Sequence, residues 1–180
     1  MRNILTFRRC TGEEIRWLVG TFESQFPTSS NWQIKEVDIN EVIPLCKYVY
    51  SSRLEFAKES IRKCIRYDVP LFYPYVVEYD NGDTHLVAPP VIEERNNSLY
   101  LGDGMHRIYE VLKLDIPVVT VLITHNCYLP LPGMPQDWDN VKENGTQLPC
   151  DMNFERFYRQ GLTGYSKFSN SKMFWRYVGK

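Results

Sequence analysis

The sequence predicts an α+β protein, and three observations predict it. Apolar residues recur every three or four positions over about 51–66 and 105–114, with a shorter stretch over 12–22, which marks helices. Runs rich in aromatic and β-branched residues at 71–79, 84–88, 91–94, 99–101 and 118–123 read as strands. Turn-forming pairs, Asn81-Gly82 and Asn96-Asn97, separate successive strand runs.

The elements follow in order. A helix is expected from Gly12 to Phe22, opened by Thr11 with Glu14 three residues on, the pattern of a capping box. Residues 26–32 (FPTSSNW) form a loop by composition, followed by strand runs at 33–37 and 39–43 closed by Pro44. The helix over 51–66 places Leu54, Ala57, Ile61, Cys64 and Ile65 on one face, with most of its basic residues elsewhere. Pro70 ends that unit, and Leu71–Tyr79 and Thr84–Ala88 make a hairpin across Asn81-Gly82. Val91–Glu94 pairs with Leu99–Leu101, the chain turns through Gly102-Asp103-Gly104, and a helix runs from Met105 to Leu114. Val118–Ile123 is a continuous apolar run, as expected of a strand covered on both faces. From Cys127 to Pro149 four prolines and two glycines argue against a regular core element, so the core is expected to end at Ile123. A last helix is expected over Asn153–Gln160, then a basic, aromatic tail over 167–180 whose rings pack back on the domain.

Bulk properties exclude several classes. A net charge of -1 argues against a protein whose main task is coating nucleic acid, which needs a basic excess. Hydrophobic and charged fractions of 43% and 24% are those of an ordinary globular domain. Five cysteines with no CxxC spacing give neither a zinc knuckle nor a disulfide framework. The N-terminus, MRNILTFRRC, lacks the apolar stretch of a signal peptide, and no apolar run is long enough for a membrane span. A cytoplasmic protein with no membrane partner is expected.

The chemistry concentrates in residues 100–107, YLGDGMHR. A strand runs into a Gly-Asp-Gly turn that opens a helix, so glycines permit a tight turn and free N–H groups point at one spot. Asp103, His106 and Arg107 converge there, an arrangement suited to phosphate. For an isolated Gly-Asp-Gly a plain turn would be the better reading; His-Arg at a strand–helix junction favours function.

Four segments, VDINEVIP (37–44), EFAKESIRKCI (55–65), VPLFYPYVVE (69–78) and YLGDGMHRIYEVLKLDIPVVTVLI (100–123), resemble the ParB/sulfiredoxin superfamily. The resemblance implies a mixed small sheet with flanking helices and a C-terminal irregular or helical extension. It divides the chain into a helical extension (1–32), a nucleotide-binding core (33–124) and an extension packed on that core (125–180). Sulfiredoxin repairs a sulfinic acid through a cysteine just before the His-Arg pair; here that position is Met105, whose thioether cannot act as a thiolate. Chromosome-partitioning members bind CTP and DNA and carry a helix-turn-helix domain, for which the proline-interrupted chain after Ile123 leaves little room. The motif resembles most closely that of free-serine kinases, which use ATP or ADP and share Asp-Gly-x-His-Arg.

That resemblance implies an ATP- or ADP-dependent phosphoryl transfer to a small hydroxyl-bearing molecule. Asp103 and His106 are then the candidate catalytic residues. Gly102, Gly104, Met105, His106, Arg107 and Arg53 would bind the nucleotide, and Asp103 would hold Mg²⁺. Arg107 can fork onto two phosphate oxygens, His106 can donate to phosphate or shuttle a proton, and Asp103 can accept the proton of a hydroxyl. The kinases carry a glutamate base shortly after the first strand–proline unit. Here Pro44-Leu45-Cys46-Lys47 offers no carboxylate, and Glu41 lies before the proline. A nucleotide sensor without chemistry, with Cys46 where the base should be, is thus a further reading. A ParB-like DNA-associated nuclease or adaptor is another, on the basic helix 51–66 and the basic tail. Glu78 reads as an edge charge, His85 as an exposed strand residue, and His125-Asn126-Cys127 as neighbours without nucleophile geometry.

Overall fold

The computed structural model describes residues 3–25, 30–125, 127, 130–131 and 133–145. The described chain is α+β. In order it forms β1 (Ile4–Arg9), α1 (Gly12–Gln25), β2 (Ser30–Asp38), β3 (Val42–Pro44), β4 (Tyr48–Tyr50), α2 (Ser51–Arg66), β5 (Tyr75–Tyr79) and β6 (Thr84–Val87). It continues through β7 (Val91–Arg95), β8 (Ser98–Asp103), α3 (Met105–Lys113), β9 (Val118–His125) and β10 (Lys142–Asn144). The expected helix over 153–160 and the tail over 167–180 lie outside the described residues.

The main sheet has five strands in the order β2-β9-β7-β8-β3. Its β2/β9 and β7/β8 pairs are antiparallel, while β7/β9 and β3/β8 are parallel. On one face Ile92, Leu101, Val119, Val121 and Ile123 pack against Ile61 of α2 and Ile108 and Val111 of α3. On the other, Trp32, Val91 and Leu122 pack against Leu18 and Phe22 of α1. Because both faces are covered, β9 is apolar on alternate and intervening positions alike, as its continuous run predicts. A second sheet, β1-β5-β6, is antiparallel, and β5/β6 turn at Gly82 as expected. Asn96 and Asn97 close β7/β8 with φ values of 50° and 60°, the left-handed pair that a two-residue hairpin requires.

Several expectations are corrected. Residues 4–9 form β1, which pairs with β5 in the register Phe7↔Val77. The run 39–43 is not one strand: Asp38 accepts the Asn40 N–H at 2.9 Å, and a single 3-10 turn (Ile39–Glu41) precedes β3. The strand expected from Leu71 begins only at Tyr75, because Pro70 and Pro74 bracket a turn in which Phe72 adopts φ 62° and is buried. Ile65 is 66% exposed: it lies about 100° around the helix from Cys64, off the stripe of Leu54, Ala57, Ile61 and Cys64. The core also does not end at Ile123. β10 pairs in parallel with β4, Val141 is buried against Val49 and Leu54, and the Trp138 indole N–H donates to Val42 O at 2.7 Å.

Candidate functional site

The site is built where β8 becomes α3. Val91 pairs with Asp103 and Ile92 with Leu101, so Gly102 is the extra residue of a β-bulge that turns the end of β8 out of register. Gly104 follows at φ 95° as the N-cap of α3, and its carbonyl receives the N–H groups of Arg107 (2.9 Å) and Ile108 (3.0 Å). A Cβ on Gly104 would lie 2.7 Å from Pro90 Cβ. The close approach that requires glycine here is therefore to the chain itself. Neither Gly104 nor Tyr50, the N-cap of α2, supplies a side-chain cap.

A cavity of about 460 Å³ opens at this junction, and Arg53, Asp103, Gly104, His106 and Arg107 line it together. Five of the predicted residues thus meet, although α2 contributes one and the β8–α3 junction the other four. Gly102 stands one residue before them in the bulge. Met105 departs from the expectation: its side chain packs against the core with the Val49–Leu54–Val141 cluster and beside the sheet, and it does not line the cavity.

His106 is held by Tyr50, the last residue of β4. Its Nε2 accepts the Tyr50 backbone N–H at 3.0 Å, and its ring tilts against the Tyr50 ring at 5.5 Å. With Nε2 occupied as acceptor, the proton of the neutral ring sits on Nδ1. Burial, reinforced by the Arg53 charge, pushes its pKa down to about 4. In the free protein His106 is thus a neutral N–H donor rather than a proton shuttle near neutrality.

Arg107 is fixed from three sides. It donates to Ala88 O at 2.7 Å, approaches Asp103 at 3.7 Å and lies over the Phe72 ring, 5.6 Å from its centroid. Five N–H groups on one guanidinium leave donors for the cavity after the Ala88 bond. Arg53, in the first turn of α2, is an exposed residue at the cavity edge. Asp103 is the one carboxylate among the described lining residues, and no described group of three or more His, Cys, Asp or Glu side chains could cage a metal. A single carboxylate suits Mg²⁺, which is commonly held by one or two carboxylates plus phosphate oxygens and water.

The remaining lining residues carried no signal in the motif: Phe56, Ala57 and Ser60 of α2, Tyr75 and Tyr79 of β5, and Val87 of β6. Ser60 and Tyr75 share a hydrogen bond of 2.9 Å, and burial pushes the Tyr75 phenol up to about 12. The i, i+3, i+7 spacing of Arg53, Phe56 and Ser60 could have marked them as one helical face.

Other sequence candidates lie elsewhere. Leu45 is buried, Glu41 is exposed, and neither lines the cavity, so no carboxylate replaces the missing base after Pro44. His85 touches the Tyr79 ring edge-on at 5.1 Å. His125 pairs with Glu94 (3.3 Å) and Gln33 (2.9 Å) on the far end of β9. The basic helix α2 is balanced by its own acids, with Lys58 on Glu55 at 2.8 Å and Lys63 on Glu59 at 3.5 Å. Among the described residues, no helix is long and apolar enough to cross a membrane. No known protein family, curated protein or solved structure matches this chain, so its own geometry carries the functional reading.

Proposed function

We propose that the cavity at the β8–α3 junction binds the phosphates of a nucleotide such as ATP or ADP, and that the protein transfers a phosphoryl group to a small hydroxyl-bearing molecule. One observation carries the reading. The N-terminus of α3, which has no side-chain cap, two guanidinium groups and a neutral imidazole border a single cavity with one carboxylate among its described lining residues. Such a set offers several donors and fixed positive charge to an anion, with a metal-compatible acceptor beside it. It also fits the resemblance of Asp103-Gly104-Met105-His106-Arg107 to the kinase motif.

In this reading Arg53 and Arg107 neutralise the phosphates and the His106 Nδ1–H donates to a phosphate oxygen. Asp103 would hold Mg²⁺, which when bound supplies charge neutralisation between phosphate oxygens. The acceptor hydroxyl oxygen forms the new bond to the terminal phosphorus as the bridging P–O bond breaks. The bond's electrons leave with the nucleoside phosphate, and the hydroxyl proton passes to water. Positioning supplies most of the catalysis, consistent with the absence of a second carboxylate among the described lining residues.

Calorimetry with ATP or ADP in the presence of MgCl₂ tests binding. Arg53→Ala should weaken it by about tenfold or more, the effect of one charge-assisted hydrogen bond. Incubation with labelled ATP and a pool of amino acids and polyols should yield a phosphorylated acceptor. Absence of nucleotide binding at millimolar concentration would overturn the proposal.

A further inference from the structure

The segment 133–145 reaches the site without entering it: none of these residues is among those lining the cavity. It runs beside β3 and β4. Trp138 Nε1 donates to Val42 O at 2.7 Å, Gln136 N to Pro44 O at 2.9 Å and Lys142 N to Lys47 O at 2.8 Å. β10 then pairs with Tyr48–Tyr50, and Tyr50 N is the donor that meets His106 Nε2 at 3.0 Å. Trp138 and Val141 also share one apolar cluster with Val49, with Leu54 of α2 and with Met105 and Tyr109 of α3. Leu54 directly follows Arg53, and Met105 directly precedes His106. Glu143 adds polar ties to both helices, accepting from the Ser51 hydroxyl at 3.2 Å and from Lys113 Nζ at 3.4 Å.

We infer that the segment 133–145 is a positioning element for the site: its docking sets α2 against α3 and holds Tyr50 on His106, so docking and anion binding favour each other. The link to anion binding rests on the proposed phosphate role of the cavity; the effect on His106 does not. Arg53 stands on one helix and the His106–Arg107 pair on another, so an anion gains from all three only at their native separation. Packing Leu54 and Met105 on the same two side chains fixes that separation, because close-packed contacts resist sliding. The ladder from β10 to β4 in turn holds the Tyr50 N–H in place, and that bond selects the His106 tautomer with its proton on Nδ1. Glu143 and Lys113 are both well exposed, so their ion pair contributes little and the apolar cluster carries the effect. Trp138 and Val141 are thus positioning residues that act through Tyr50, Leu54 and Met105. By linkage, an anion that needs the segment docked must also hold it docked.

Three measurements on the full chain test this, with Thr11→Ala as a control that loosens α1, remote from the segment. In nitrogen NMR of the imidazoles at neutral pH, the parent should show His106 with Nε2 unprotonated. Trp138→Phe and Val141→Ala should move it toward a mixture of tautomers, and Thr11→Ala should not. In calorimetry with inorganic tripolyphosphate and MgCl₂, Trp138→Phe and Val141→Ala should each weaken binding by about fivefold, the lower end of ordinary coupling between sites. Thr11→Ala should leave it unchanged. In hydrogen exchange, tripolyphosphate should slow the Lys142 amide, bonded to Lys47 O, more than the Cys10 amide, bonded to Pro74 O. Unaltered His106 signals and affinity in both segment variants, or an equal loss of affinity in Thr11→Ala, would overturn the positioning role while the phosphate site stood. Failure of the parent to bind tripolyphosphate would overturn the phosphate reading and the link to anion binding together.

Discussion

His106 has one ring lone pair when neutral, and the Tyr50 N–H occupies it. Protonation must break that bond and place a cation beside Arg53 and Arg107, which together with burial explains the low pKa. The sign of the linkage follows. The unfolded chain takes up a proton near the ordinary 6.5 and the folded chain only near 4, so stability is fully present above pH 6.5 and declines as pH falls toward 4. His106→Gln, whose amide oxygen can accept from Tyr50 N, should flatten this part of the pH profile of the urea midpoint. A profile identical to the parent between pH 4 and 6.5 would show that His106 is not the titrating group. Two residues away, Gly104 combines φ 95° with contact against Pro90. Gly104→Ala should destabilise the protein by about 2–4 kcal/mol, from left-handed strain and overlap with Pro90, read by urea unfolding. The convergence of Asp103, His106 and Arg107 on one cavity was legible in the sequence because a strand–turn–helix motif is local. The inward packing of Met105 was not, since the motif alone does not say which residue of the first helical turn faces the core.

Helices show the same division at the scale of elements. α1 begins as its sequence predicts: Thr11 Oγ1 accepts the Glu14 N–H at 3.3 Å, and Glu14 accepts the Thr11 N–H at 2.7 Å. Thr11→Ala should cost about 1 kcal/mol of stability, measured by urea denaturation. The capping glutamate also forms two bonds of 2.8 Å with Arg8, and that pairing holds its carboxyl down at about 2. Its contribution is present above the ordinary 4.5 and is lost as pH falls through about 2, so Glu14→Gln should show a smaller acid-induced loss of stability over that window. α2 spans the predicted 51–66 because its apolar stripe repeats with helical period over four turns. The short strands β1, β4 and β10 were missed because three to six residues carry little period of their own. Their conformation is set by partners distant in sequence, as when β4 meets β10 across about 94 positions, Tyr48 opposite Lys142.

At the scale of the molecule, the site depends on segments that only the fold brings together. α2 and α3 pack on one face of the main sheet, and β5 and β6 of the second sheet also line the cavity. The segment 133–145 returns to brace β3 and β4, the strand that leads into Tyr50. Trp138→Phe removes the bond to Val42 O and should lower stability by about 1 kcal/mol in urea unfolding, with the far-UV spectrum unchanged. The sequence by itself determined the helices α2 and α3, the hairpins at Asn81-Gly82 and Asn96-Asn97, the buried strand β9 and the place of the Gly-Asp-Gly turn. Each rests on interactions within a few residues or on a repeating apolar period. Only the tertiary structure decided that Tyr50 would fix the His106 tautomer, that Arg107 would rest on Phe72 and bond Ala88, and that Ser60 and Tyr75 would share the cavity with Arg53. Those contacts join residues from different elements, and a polar group's partner is chosen by the packing of the surfaces between them, which no local pattern encodes.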